Sequence, residues 1–151
     1  MKKQVETAAI SVARPVGVDA SVTAKVPFYS SRPAAGFPAP GDDQVERVLD
    51  INDLVVQHPE STFFVRVEGD SMEGIGIFSG DVLVVDRDIE TRHGVIVVAA
   101  VNGELVVKRL VTQAGRRELH SENEAYAPIV LGEEEECFIW GVVTGSVRQF
   151  S

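Results

Sequence analysis

The sequence predicts a mainly β protein: a compact, strongly bent β domain with one short helix, preceded by an extended N-terminal arm. Three observations predict it. From Thr62 onward, short runs of β-branched and aromatic residues recur, separated by breaks rich in Gly, Pro, Asn and Asp. Two of those runs flank Asn102-Gly103, the dipeptide of a tight hairpin. Before residue 42 the chain is rich in Ala, Val, Ser and Pro and shows no clear helical face.

The elements follow in order. Residues 1–41 end in Arg32-Pro33-Ala34-Ala35-Gly36-Phe37-Pro38-Ala39-Pro40-Gly41, where Pro and Gly disfavour helix and leave an extended, accessible segment. Val22, Val26, Phe28 and Tyr29 give this arm some adhesive side chains. The ordered domain, 42–151, opens with Asp42-Asp43. Asp50-Ile51-Asn52-Asp53-Leu54-Val55-Val56-Gln57-His58 has capping residues before an apolar turn, and Pro59 stops it, which predicts a short helix. Phe63-Phe64-Val65-Arg66-Val67 alternates as a strand, and Gly69-Asp70 break it, leaving Ser71 on a sharp turn. Gly80-Asp81 open the strand 82–86. Residues 94–101 are continuously apolar, the pattern of a strand buried on both faces. Residues 104–110 return across Asn102-Gly103, and shorter strands follow at 118–120, 129–131 and 137–144. No internal repeat and no helix-turn-helix pattern is present.

Composition narrows the function. At 151 residues, 44% of them hydrophobic, the chain is long enough for one domain with a real core. A formal net charge of −9 argues against a broad phosphate-binding surface, so no direct nucleic-acid binding is expected. The single cysteine, Cys137, excludes an intrachain disulfide and suits a reducing compartment. No run approaches the ~18 apolar residues of a membrane span, and the stretch after Lys2-Lys3 is too broken for a signal peptide, so a cytoplasmic protein is expected. Nothing resembles a phosphate-cradling glycine loop, and no cofactor or metal is expected. Glu133-Glu134-Glu135-Glu136 reads as a solvated turn, Cys137 as a buried small hydrophobe, and Trp140 with Phe138 as core or as a dimer face.

The chemistry centres on Ser71 and Lys108. A serine hydroxyl is a poor nucleophile unless a base takes its proton. His58, His93 and His120 are poorly placed as that base, lying before Pro59, in a polar turn and in a weak late strand. On period two, Lys108 shares a face with Val106 and Leu110. Apolar surroundings strip its ammonium of water and lower its pKa, and a neutral amine is a competent base for serine. The required fall, from ~10.4 towards ~7 to 8, is worth about 4 kcal/mol, within what burial supplies. Gly69, Gly74 and Gly76 permit close backbone approach, and turn N–H groups suit an oxyanion. The plain alternative is that Ser71 shapes a turn and Lys108 snorkels from a surface strand.

Gly69-Asp70-Ser71-Met72, Gly76-Ile77, Gly80-Asp81 and Val106-Val107-Lys108-Arg109-Leu110 resemble the signature of the LexA-type self-cleaving serine peptidases. With residues 50–59 and 93–101 the resemblance extends to one branch, the UmuD proteins of error-prone translesion DNA synthesis. It covers roughly the C-terminal three-quarters of the chain. It implies a barrel-like peptidase domain shared with signal peptidases, with Ser71 as nucleophile and Lys108 as general base. It also implies self-cleavage at a small residue followed by glycine, here Ala35-Gly36. The local chemistry agrees, because Pro38 biases Phe37 to extended geometry and small residues let the carbonyl approach Ser71. The resemblance further implies stimulation by RecA filaments on single-stranded DNA, a homodimer, and a UmuC-type polymerase as partner. Repressors of the family carry a helix-turn-helix domain, for which about forty preceding residues are too few. Two readings follow: a peptidase acting on itself, or a non-catalytic dimeric adaptor of the same fold. A membrane-bound signal peptidase is disfavoured by the absence of an anchor.

Overall fold

A computed structural model of the chain describes residues 25–29, 45–132 and 135–150. They fall into two compact units, one within Asp19–Gln57 and one running from His58 onward. In the smaller unit β1 (Lys25–Tyr29) pairs antiparallel with β2 (Val45–Asp50), with a register shift between Phe28 and Tyr29. Helix α1 (Ile51–Val55) follows at once. Asp50 caps it, its Oδ1 accepting the Asn52 N–H at 2.8 Å, as the sequence predicted. Strand β1 lies inside the segment read as an extended arm. Its partner is about 20 residues away, a pairing that no local pattern announces.

Apart from a single 3-10 turn at Glu73–Ile75, the described regular structure of the larger unit is β. It contains β3 (Thr62–Arg66), β4 (Val82–Asp86), β5 (Ile96–Val101), β6 (Glu104–Gln113), β7 (Arg116–His120), β8 (Ile129–Leu131) and β9 (Cys137–Val147). All pair antiparallel in one sheet of order β3-β4-β9-β5-β6-β7-β8. Asn102 and Gly103 take φ of 50° and 86° between β5 and β6, the left-handed pair that a two-residue hairpin needs. Ala114 (φ 50°) and Gly115 (φ 78°) do the same between β6 and β7. Alanine is an unusual occupant there, and β6 runs to Gln113, past its expected end at Leu110.

The last strand is the spine. β9 sits between β4 and β5, and register shifts at Val84/Val85 and Val98/Ala99 interrupt both ladders. Such irregularities bend a strand and deepen its twist. Gly141 lies at this crossing, where a Cβ would stand 2.8 Å from Val85 Cγ1 and 3.0 Å from the Asp86 carbonyl oxygen.

Both faces of the sheet are buried. Ile96, Val98 and Val107 join Phe63, Val65, Val67, Met72, Ile77, Leu83 and Val85 in one cluster. Val97, Ala99, Val101, Val106, Leu110, Leu119 and Val142 form the other. The strand β5 feeds both, as its unbroken apolar run predicted. Trp140 packs on the first cluster, edge to face with Phe63 at 6.0 Å, while Phe138 is 69% exposed. Cys137 is half-buried against the second cluster, and burial pushes its thiol pKa up. Glu133 and Glu134 lie outside the described residues. Glu136 and Asn102 bond each other backbone to backbone at 2.9 Å, and Glu135 accepts the Gly132 N–H at 2.8 Å. Among the described residues, no helix is long and apolar enough to cross a membrane.

Candidate active site

Ser71 lies on a loop between β3 and β4 that is fastened on three sides. At its neck, the Val67 N–H donates to Asp81 at 2.9 Å and the Gly80 N–H returns to Val67 at 2.7 Å. Beneath it, Met72 and Ile77 are buried in the first core cluster and anchor the turn apolarly. Gly69 takes φ 92°, which lets the chain leave β3 sharply before Asp70 and Ser71. Arg148, just past β9, donates from Nη2 to the Gly76 carbonyl oxygen at 2.8 Å.

The third fastening comes from the loop after β7. The Gly74 N–H donates to the Glu122 carbonyl oxygen at 2.8 Å, and Asn123 Nδ2 donates to the Asp70 carbonyl oxygen at 2.9 Å. The Tyr126 hydroxyl donates to Asp70 Oδ1. A Cβ on Gly74 would stand 2.5 Å from the Glu122 oxygen, so only glycine admits this approach. Glu122 in turn accepts from Arg109 Nε, and Arg109 Nη1 holds the Gly94 carbonyl oxygen at 2.6 Å. The Ser71 turn is thereby tied to β6, the strand that carries Lys108.

Lys108 is the largest fully buried side chain of the described residues, at 1% exposure. Period two places it with Val106 and Leu110, both in the second cluster, and opposite Val97 of β5. Burial lowers its pKa from the ordinary lysine value to about 8, and the Asp70 carboxylate opposes that fall. Asp70 immediately precedes Ser71, so the charge that acts on Lys108 sits on the Ser71 turn. Lys108 Nζ donates to Ser121 Oγ at 2.6 Å and lies 5.3 Å from the centre of the Tyr126 ring. Ser71 is itself 5% exposed. A nucleophile candidate and a dehydrated amine are therefore held by one continuous set of bonds.

The histidines are engaged elsewhere. His58 Nδ1 pairs with Asp86 Oδ2 at 2.6 Å, and that hydrogen bond raises the imidazole pKa. His93 Nδ1 accepts the Thr112 N–H at 3.0 Å, and His120 Nε2 meets Glu118 at 2.9 Å. Ala35 and Gly36, the expected cleavage bond, lie outside the described residues.

Residues 27–144 match the Peptidase S24-like family. This chain belongs to it. The Peptidase S24 family is one of serine-type self-cleaving peptidases, so the resemblance read from residues 69–81 and 106–110 is borne out. The chain is 42% identical to Protein MucA of Salmonella typhimurium over 129 residues, 85% of this chain and 88% of that protein. It is 41% identical to Protein ImpA of Shigella flexneri over 137 residues, 91% of each. It is 42% identical to the LexA repressor of Bordetella pertussis over 118 residues, 78% of this chain but 54% of the repressor.

Within this S24 fold, the loop after β7 is what sequence reasoning missed. Ser121, Asn123 and Tyr126 reach their partners across 13, 53 and 56 residues. The one local cue was the buried lysine itself, which needs an acceptor somewhere.

Proposed function

We propose that this chain is a UmuD-like, self-processing serine peptidase with Ser71 as nucleophile and Lys108 as general base. The observation that carries the reading is the buried Lys108 amine, its pKa lowered to about 8 beside the Asp70-Ser71 turn. Neutral Lys108 takes the proton from Ser71 Oγ as that oxygen attacks the Ala35 carbonyl carbon. N–H groups of the Ser71 turn stabilise the tetrahedral oxyanion. The Lys108 ammonium then protonates the departing Gly36 amine, leaving residues 1–35 as an ester on Ser71. Water, activated by Lys108, hydrolyses that ester and restores the hydroxyl. Cleavage removes residues 1–35 of the 1–41 arm and leaves 36–41 joined to the peptidase domain, 42–151.

The biological setting proposed follows the relatives. The chain acts in the cytoplasm in the SOS response, where RecA filaments stimulate its cleavage. The trimmed homodimer then serves a UmuC-type translesion polymerase as accessory subunit. Removing an arm to uncover a partner surface is a switch of known physical type.

Intact mass after incubation of the full chain at pH 7 to 10 tests the chemistry. A break between Ala35 and Gly36 is expected, accelerating with pH and absent in Ser71→Ala and in Lys108→Ala. An unbroken wild-type chain at alkaline pH would leave the non-catalytic dimeric adaptor.

A further inference from the structure

We propose that Ser121 is a positioning residue for Lys108, its hydroxyl fixing the amine so that the nitrogen lone pair is directed to Ser71. The inference rests on the peptidase reading above and adds to it a residue outside the Ser71–Lys108 pair.

A lysine side chain is free to move. Its ammonium sits on a four-carbon stem and its three donors rotate, so dehydration alone makes it a base without aiming it. Aim requires one N–H to be spent on a fixed acceptor. Ser121 Oγ is that acceptor, at 2.6 Å from Nζ. The acceptor is fixed because its neighbours are. Ser121 directly follows β7, and the next residue, Glu122, is bound through its carboxylate to Arg109 and through its carbonyl oxygen to Gly74. Arg109 adjoins Lys108, and Gly74 is three residues from Ser71. The hydroxyl is thus carried on a piece of backbone that is bonded both to the strand of the base and to the turn of the nucleophile.

The groups facing Lys108 allow this role to be separated from a general electrostatic one. Asp70 faces it from the Ser71 turn, and Tyr126 and Ser121 from the loop after β7. Glu122 is occupied by Arg109, and β5 offers Val97. Asp70 supplies the charge, and the Tyr126 hydroxyl holds that carboxylate. Ser121 carries no charge and bonds Nζ itself, so its contribution is directional.

The test uses the full chain, with scission followed by intact mass from pH 7 to 10 in wild type, Ser121→Ala and Ser121→Thr. Ser121→Ala is expected to lower the maximal rate about 10- to 100-fold, the cost of a misaligned base. It also shifts the half-maximal pH downward, because the charged ammonium loses an acceptor. Ser121→Thr, which keeps the hydroxyl, restores both. A change in melting temperature alone, with rate and pH profile unmoved, would overturn the proposal. So would a faster Ser121→Ala chain, which would mean that the hydroxyl blocks the lone pair. Scission that survives Ser71→Ala and is lost in Ser121→Ala would make Ser121 the nucleophile instead. If wild type does not break at all, the peptidase reading falls. The Lys108–Ser121 bond is then tested by NMR titration of Lys108, whose midpoint must drop in Ser121→Ala; an unchanged midpoint rejects the positioning role.

Discussion

Two ionisable side chains in the larger unit, Asp81 and Lys108, are buried to the same depth, each 1% exposed, and treated in opposite ways. Asp81 is saturated with donors. Arg148 Nε and Nη2 reach its two oxygens at 2.7 and 2.8 Å, and the Phe78 N–H adds a third bond at 2.9 Å. The Arg148 hydrogen bonds hold its pKa below the usual carboxylate range, against the upward push of burial. Lys108 has one hydroxyl, one ring face and a carboxylate that does not offset its dehydration. The lesson is physical. Asp81 is given every partner it can use, and Lys108, the proposed base, is kept short of them.

Four substitutions test that contrast. Asp81→Ala has the largest expected effect, a loss of about 3 kcal/mol in urea unfolding at pH 7, because the buried acceptor of the Arg148 and Phe78 N–H bonds is removed. The Asp81 pKa is depressed on folding, so its contribution is present above the ordinary carboxylate pKa. It is lost as pH falls through the folded-state value, and the two proteins should converge in acid. Equal stability at pH 7 would mean that Asp81 is not the architectural charge.

Lys108→Met should act with the opposite sign. The folded-state pKa lies below the unfolded one, so the unfolded chain holds the proton more tightly between pH 8 and 10.5, and wild-type stability rises with pH across that window. Below it, the charged lysine opposes folding. Methionine of similar length should therefore stabilise by about 2 kcal/mol at pH 7, after the lost Ser121 bond is allowed for, while ending scission. The gain should fade towards pH 11. A destabilised variant would show that Lys108 is a structural residue after all.

Gly74→Ala probes the tie between the Ser71 turn and the β7 loop. The added carbon would meet a backbone oxygen at 2.5 Å, so the Gly74–Glu122 bond must open. A cost of about 1 to 2 kcal/mol is expected, with a larger proportional loss of scission than of stability. The smallest effect is that of Asp70→Asn. Removing the charge that holds the Lys108 pKa up should lower it further and raise scission modestly at pH 7. A slower variant would assign Asp70 to holding the turn rather than to tuning the base.

What the sequence made legible was local. Asn102-Gly103 fixed the β5–β6 hairpin, and with it the parity that buries Lys108. Gly69 and the residues after it marked the Ser71 turn, and Asp50 marked the start of α1. What stayed hidden depends on distant partners. Arg148 meets Asp81 across 67 residues, and Tyr126 meets Asp70 across 56. Neither contact has a spacing that could announce it. Polar residues in a loop read as solvated until the fold supplies something for them to hold. The β1–β2 pairing was hidden for the same reason, and Ala114 hid a turn because alanine is an uncommon sign of a left-handed residue.

The proposed chemistry depends on the proton of one nitrogen, and titration of the Lys108 side-chain resonance by NMR, in the full-length Ser71→Ala chain, reads it directly. A midpoint near pH 8 is expected. A Lys108 midpoint of roughly 10 or above would contradict it, since the amine would then be charged wherever the chain is expected to cut itself.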